Sequence, residues 1–264
     1  MPYFDNEGIK IYYEIEGEGP PVVMLHGLNS NIEDNWRQTN WVETLRDNYR
    51  LILLDCRGHG KSDKPHEDSD YGQKMTDDVI KLLEHLSIEK ANVFGYSMGA
   101  VITFLLVLAK PEIIVSAILG GFVLTLNEKE ISKEIKNAKQ MIEGFRAESI
   151  KQVRGGMART FRRIAELGEN DLLALAALRA GMLKETCKIM TSPAQIRGIL
   201  KNIKVPIMTV VASSELILGD KTLVAQLVPD ACHFQIQGKD HNTMIPDPKF
   251  HMIVKAFLDF VNNE

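Results

Sequence analysis

The hydrophobic positions of this chain repeat with two different periods, and the two alternate along its length. Ile9, Ile11, Tyr13 and Ile15 interleave with Lys10, Tyr12, Glu14 and Glu16. A period of two in β-branched and aromatic residues predicts a half-buried antiparallel strand. After the Glu-Gly-Glu-Gly-Pro-Pro turn at 16–21 come apolar runs at 22–25 and 51–54, then largely apolar ones at 91–96, 113–119 and 206–212. Short runs buried on both faces suit a parallel sheet covered by helices on each side. A further strand is expected around His233 to Ile236.

Helical periods fill the gaps. Val79, Leu82, Leu83 and Leu86 share one face of a helix over 77–86, and Ile253, Val254, Phe257, Leu258 and Val261 do so over 250–261. The stretch 100–108 is apolar nearly all round, which predicts a buried helix. Strands alternating with helices give an α/β doubly wound sheet. From 122 to 201 the alternation stops: helix-forming sequence runs without a credible strand, and strands resume at Pro206. The expected organisation is a sheet domain of residues 1–121 and 202–264 with a helical cap, 122–201, inserted into it.

Composition narrows the function classes. A chain of 264 residues buries roughly three-quarters of its unfolded surface and needs no staples. The formal net charge of -4 lacks the basic surface that nucleic acid demands. Cys56, Cys187 and Cys232 are scattered, with no CxxC spacing, so they read as reduced packing residues and suggest neither zinc nor disulfides. The first ten residues have no signal-peptide pattern and no apolar run reaches membrane-spanning length, so a cytoplasmic protein with no membrane partner is expected. No ligand cluster or phosphate loop appears, hence no metal or organic cofactor is expected.

The chemistry concentrates at three places. Gly95-Tyr96-Ser97-Met98-Gly99 fits G-x-S-x-G and sits where a strand meets a buried helix, a setting that puts Ser97 on a tight exposed turn. A serine needs a base to take its proton. His241, in Gly238-Lys239-Asp240-His241-Asn242 before the last helix, is the best candidate of seven histidines. His66, His85 and His251 read as surface residues, and His59 as a loop organiser. An acid is expected at the end of the strand 206–212, where Glu215 stands; Asp220 is the alternative, and Asp240 reads as a loop residue. Backbone N–H groups of Met98 and of Leu28, in His26-Gly27-Leu28-Asn29 after the strand 22–25, are the candidate oxyanion donors.

These segments, with Asp55-Cys56-Arg57-Gly58-His59-Gly60-Lys61-Ser62, resemble the α/β-hydrolase superfamily over nearly the whole chain. The resemblance implies an eight-stranded, mostly parallel sheet, a covalent acyl-enzyme, and a substrate pocket between sheet and cap. It implies a structural role for residues 55–62. The chain departs from the family at the acid strand, which usually ends Gly-x-x-Asp, against Ala212 and Glu215 here. A serine at 97 argues against dehalogenases and epoxide hydrolases, whose nucleophile is a carboxylate.

The expected function is therefore a serine hydrolase cleaving a small carboxylic ester, thioester or lactone. Met141, Phe145, Met157, Phe161, Leu178 and Met182 are the candidate pocket lining in the cap, an apolar set that suits acyl or aromatic substrates. C–C bond hydrolysis and cofactor-free perhydrolysis use the same triad and stay open. So does a ligand-binding or regulatory protein on a hydrolase scaffold, for which the irregular acid position is the support.

Overall fold

A computed structural model of the protein describes residues 2–189, 192–215, 217 and 219–263. Eight strands form one sheet in the order β1-β2-β4-β3-β5-β6-β7-β8. They are β1 (Tyr3–Asn6), β2 (Ile9–Glu16), β3 (Pro21–Leu25), β4 (Arg50–Leu54), β5 (Ala91–Tyr96), β6 (Ile114–Gly120), β7 (Ile207–Ser214) and β8 (Cys232–Asp240). Strand β1, which the alternation did not signal because it is only four residues long, pairs antiparallel with β2, as β2 does with β4. All pairings from β4 to β8 are parallel.

Alternation along the strands divides the core in two. Val23, Leu25, Ile52, Leu54, Val93 and Leu119 point into one cluster, under α2 (Gln73–His85) and α3 (Met98–Ala109). Val22, Met24, Leu51, Leu53, Phe94 and Ile118 point the other way, to α1 (Trp41–Leu45) and the C-terminal helix. Because side chains alternate faces along a strand, runs with no polar partner can be buried only when both faces are covered. On the second face Trp41 meets Phe94 and Phe250 edge-on, with ring centroids 4.8 and 4.9 Å apart. Such pairs add about 0.5–1.5 kcal/mol each beyond burial. His251 joins this group, 4.1 Å from the Trp41 ring, and bonds Thr44 Oγ1 and the Ile245 carbonyl. It is a core residue, not the surface residue its sequence context suggested.

Between β6 and β7 run α4 (Glu128–Arg146), α5 (Gly156–Leu167), α6 (Leu172–Ile189) and α7 (Pro193–Leu200); α8 (Leu223–Leu227) and α9 (Pro248–Asn262) complete the chain. Helices α4 and α5 and the start of α6 share a small cluster that includes Met141, Phe145, Val153, Ala158 and Leu175. Arg162 fastens the first two: its guanidinium donates to the carbonyls of Gly144, Phe145 and Ala147, which the end of α4 leaves without partners. Helix α7 differs, since Ile196 and Leu200 join the main cluster under the sheet. Helix α6 lies against the segment 68–71 through Gly181, where a Cβ would stand 2.7 Å from the Asp68 carbonyl oxygen. No described helix is long and apolar enough to cross a membrane.

The segment 55–62 is a scaffold for the loop that follows β3. Asp55 accepts from the Ile32 and Lys61 N–H groups, and Ser62 Oγ donates to the Asp55 carbonyl. Arg57 and Asp78, both almost fully buried, form a two-point ion pair at 2.6 and 2.5 Å. Asn6 donates to the same carboxylate. Replacing Arg57 by Ala leaves Asp78 charged and buried without its counter-ion, which costs about 3–5 kcal/mol. Urea unfolding is expected to show that loss in full.

Two buried imidazoles complete this scaffold. His26 accepts the Cys56 N–H at Nε2, and its Nδ1 bonds the Gly27 carbonyl at 2.8 Å. His59 accepts the Asn29 N–H at Nε2. Burial pushes both rings below their ordinary value of 6.5, and for His59 the neighbouring His26 pushes further. Between pH 6.5 and those lowered values the unfolded chain therefore binds more protons than the folded one. Stability is complete above pH 6.5 and falls as the solution is acidified, by up to about 1.4 kcal/mol per pH unit for each ring. Thermal unfolding midpoints are expected to drop between pH 7 and pH 5. His59→Gln should flatten that slope while lowering stability at pH 7, and an unaltered slope would remove His59 from the account.

Candidate active site

Ser97 occupies the junction of β5 and α3 with φ 53 and ψ −108, a left-handed backbone that non-glycine residues avoid. Such a conformation costs of the order of 1–3 kcal/mol and persists only when its surroundings hold it. Here the Ser97 N–H donates to the Gly120 carbonyl at 2.8 Å, and the Gly99 N–H to the His26 carbonyl at 3.1 Å. The turn is also too crowded for side chains on either side. A Cβ on Gly95 would lie 2.2 Å from the Gly99 oxygen, and one on Gly99 would lie 1.9 Å from the Leu25 oxygen. The two glycines of the motif are thus explained by close backbone approach.

His241 follows β8 directly, and the Tyr96 hydroxyl donates to its carbonyl oxygen. Burial, with the charges of Glu215 and Asp240 added, holds the Tyr96 phenol well above its usual range, so it stays a donor. The His241 ring bridges two partners. Nε2 lies 2.9 Å from Ser97 Oγ, and Nδ1 lies 3.0 Å from the Glu215 carboxylate. A carboxylate only accepts, so Nδ1 carries the ring proton and Nε2 is left to accept from the serine hydroxyl. The Glu215 side chain is entirely buried. The extra methylene of glutamate fits because β7 ends at Ser214, one residue before it, alongside the end of β8.

The other two acids stand apart from this chain of contacts. Asp220 accepts from the Thr222 N–H and hydroxyl and from Gln226, bonds that hold its carboxyl below the usual range. Asp240 accepts from the N–H groups of Asn242 and Thr243 and so shapes the turn carrying His241.

On the opposite side of Ser97, the Gly27 N–H is taken by Asn35 Oδ1 at 3.0 Å. The N–H groups of Leu28 and Met98 have no acceptor among the described residues. Leu28 lies on the loop held by His26 and Asn35, and Met98 is the first residue of α3, where the helix leaves its N–H groups unsatisfied.

Ser97, His241 and Glu215 open onto a cavity of about 990 Å³ between the sheet and helices α4–α6. Of the lining that the sequence suggested, Met141, Met157, Phe161 and Met182 border it, and Leu28 and Met98 border it as well. Phe145 and Leu178 do not, and this corrects the expected lining. Leu178 is fully buried in the main core, because the face of α6 that presents Arg179, Met182 and Leu183 to the cavity turns residue 178 toward the sheet. Phe145, one turn beyond Met141, is sealed in the cluster with Val153 and Ala158. Sequence reasoning missed Asn35, Glu134 and Arg179 in the wall. Arg179 carried a signal: it is the one charge in the apolar run from Leu172 to Leu183. Cys187 also lines the cavity, and Cys232 is exposed, so of the three cysteines Cys56 alone is a buried packing residue.

Comparison with known proteins adds an independent view. A family model described as alpha/beta hydrolase fold matches residues 20–215. The AB hydrolase superfamily protein YisY of Bacillus subtilis is 38% identical over 96 residues, which is 36% of this chain and 35% of that protein. The (E)-2-((N-methylformamido)methylene)succinate hydrolase of Acinetobacter baylyi is 32% identical over 111 residues, 42% of this chain and 40% of that one. The match thus spans about a third to two-fifths of these curated relatives. Among solved structures, MGS-M2, an alpha/beta hydrolase enzyme from a Medee basin deep-sea metagenome library, superposes with TM-score 0.74 at 22% identity, covering 97% of each chain. The enol-lactonase from Burkholderia xenovorans superposes with TM-score 0.73 at 21% identity, covering 98% of this chain and 100% of that one. At such identities the likeness concerns the fold alone. The chain belongs to the α/β-hydrolase fold family.

Proposed function

We propose that the protein is a serine hydrolase that cleaves a small carboxylic ester, thioester or lactone through an acyl-enzyme on Ser97. The observation that carries this reading is the continuous contact from Ser97 Oγ through the His241 ring to Glu215, at 2.9 and 3.0 Å. These lengths lie within the reach needed for proton transfer.

In the first half-reaction Ser97 Oγ attacks the substrate carbonyl carbon as its proton passes to His241 Nε2. Glu215 accepts the Nδ1 proton in a hydrogen bond, which fixes the tautomer and stabilises the imidazolium. The carbonyl oxygen gains charge between the Leu28 and Met98 N–H groups. A preorganised donor of that kind contributes about 2.7–4 kcal/mol elsewhere. The imidazolium then gives its proton to the leaving alcohol or thiol, and the C–O or C–S bond breaks. In the second half-reaction His241 takes a proton from water, which attacks the acyl carbon; the imidazolium then returns that proton to Ser97 Oγ as the acyl C–O bond breaks and the acid leaves.

Support also comes from the company the chain keeps: the Acinetobacter baylyi relative is a hydrolase by name, and the Burkholderia xenovorans protein is an enol-lactonase by name. The alternative of a binding protein drew on the irregular acid position. With Glu215 buried and in contact with His241, that position offers it no support.

A fluorophosphonate probe is expected to label the protein and to leave Ser97→Ala unlabelled. Equal labelling of the two would remove Ser97 as nucleophile. Glu215→Gln should lower esterase kcat at least tenfold with KM little changed, since the amide cannot stabilise the imidazolium as a carboxylate does. A loss smaller than threefold in steady-state assays would mean that the acid lies elsewhere.

A further inference from the structure

The cavity that contains Ser97 also contains an arginine with nothing to bind. Arg179 stands on the stripe of α6 that places Met182, Leu183 and Thr186 on the cavity wall. Its Nε is sealed from solvent and has no hydrogen-bond partner. No described residue forms a hydrogen bond or ion pair with any of its three nitrogens. From α4, Glu134 reaches the same cavity, and its Oε1 is likewise buried and without a partner. The two charges feel each other, since Glu134 favours the charged guanidinium that burial disfavours, but they do not touch.

Arg179 is half-buried with its Nε sealed, and a guanidinium drawn out of water even in part is compensated by a paired and hydrogen-bonded anion. Nothing in the fold requires a charge at this point of α6, whose neighbours from Leu172 to Leu183 are apolar or glycine. The side chain shares its cavity with the serine, so the missing anion is one that arrives with the substrate.

We propose that Arg179 is the seat for a carboxylate on the substrate, so that the favoured ester is the monoester of a small dicarboxylic acid or a close equivalent. The proposal rests on the hydrolase reading above and names its substrate class. A planar guanidinium meets the two oxygens of a carboxylate with parallel N–H···O bonds. One positive charge matches one negative charge. A phosphate dianion would bring two negative charges beside Glu134 where a carboxylate brings one. Glu134 favours the charged guanidinium, and its own charge makes a monoanion a better occupant than a dianion. Methionine and isoleucine walls, including Ile135 and Met182, suit a short hydrocarbon spacer between the ester and the acid.

The test compares 4-nitrophenyl hydrogen glutarate with its methyl ester, which has the same leaving group and spacer but no charge. Wild-type protein is expected to prefer the acid at least tenfold in kcat/KM. Arg179→Met should cut that preference at least tenfold, chiefly through KM for the acid, and Arg179→Lys should retain part of it. Absence of a preference in the wild type overturns the proposal, whether or not the variants fold. So does an unchanged preference in Arg179→Met. Failure of the hydrolase reading looks different, because neither ester would then be turned over. In that event binding of monomethyl glutarate, which carries one carboxylate, is measured by calorimetry on Ser97→Ala. Binding that weakens at least tenfold when Arg179→Met is added sustains the seat, and absence of binding, or equal binding without the arginine, overturns it.

Discussion

The arrangement around Ser97 depends on one close approach of backbone to backbone. The start of α3 is pressed against the end of β3 so tightly that the space beside Gly99 is filled by the Leu25 carbonyl oxygen. This contact drives Ser97 into its left-handed conformation and lifts the hydroxyl above the ends of the strands. The same contact brings the loop after β3, itself held by Asn35 and His26, beside the first turn of α3. The cost of the strained turn is met by two backbone hydrogen bonds and by the packing of β5, all six of whose residues are buried.

Around that contact the polar groups form successive supports. Asn35 and His26 fix the loop from Gly27 onward, His59 fixes Asn29, and Asp55 anchors the segment that carries His59. The ion pair of Arg57 with Asp78 ties this segment to α2. His26 has a partner at each ring nitrogen, His59 meets the Asn29 N–H at Nε2 and the Arg57 carbonyl at Nδ1, and burial disfavours the charged form of both rings. The scaffold is electrostatically quiet beside the reacting atoms, where a stray positive charge would compete with His241 for the role of acid.

Much of this was legible in the sequence, for reasons that follow from the period of the side chains. Parallel strands buried on both faces leave short unbroken apolar runs, and β3, β4 and β5 were readable within a residue at each end. The turn at Ser97 was readable because it needs small residues at fixed places. His241 and Glu215 were found by chain order after specific strands, and each came to lie at the end of one. The errors were of another kind. Periodicity identifies a helix but does not tell which apolar stripe faces a cavity and which faces a neighbour, so Phe145 and Leu178 were placed in a wall they do not reach. Strand β1 was too short to show a period. His251 was misread because a histidine in an amphipathic helix looks the same in sequence whether it meets solvent or an indole.

The small apolar cluster of α4, α5 and the start of α6 adds to the two clusters that sandwich the sheet. The helices joined by Arg162 contribute Met141, Met157 and Phe161 to the chamber. They meet the reacting site at one seam, where Asn29 on the loop after β3 donates to the Phe161 carbonyl and Leu28 packs against the same cluster. A shift in the backbone of α5 is therefore felt by the loop beside the serine, and the shape of the chamber and the geometry of bond cleavage are tied together at that seam.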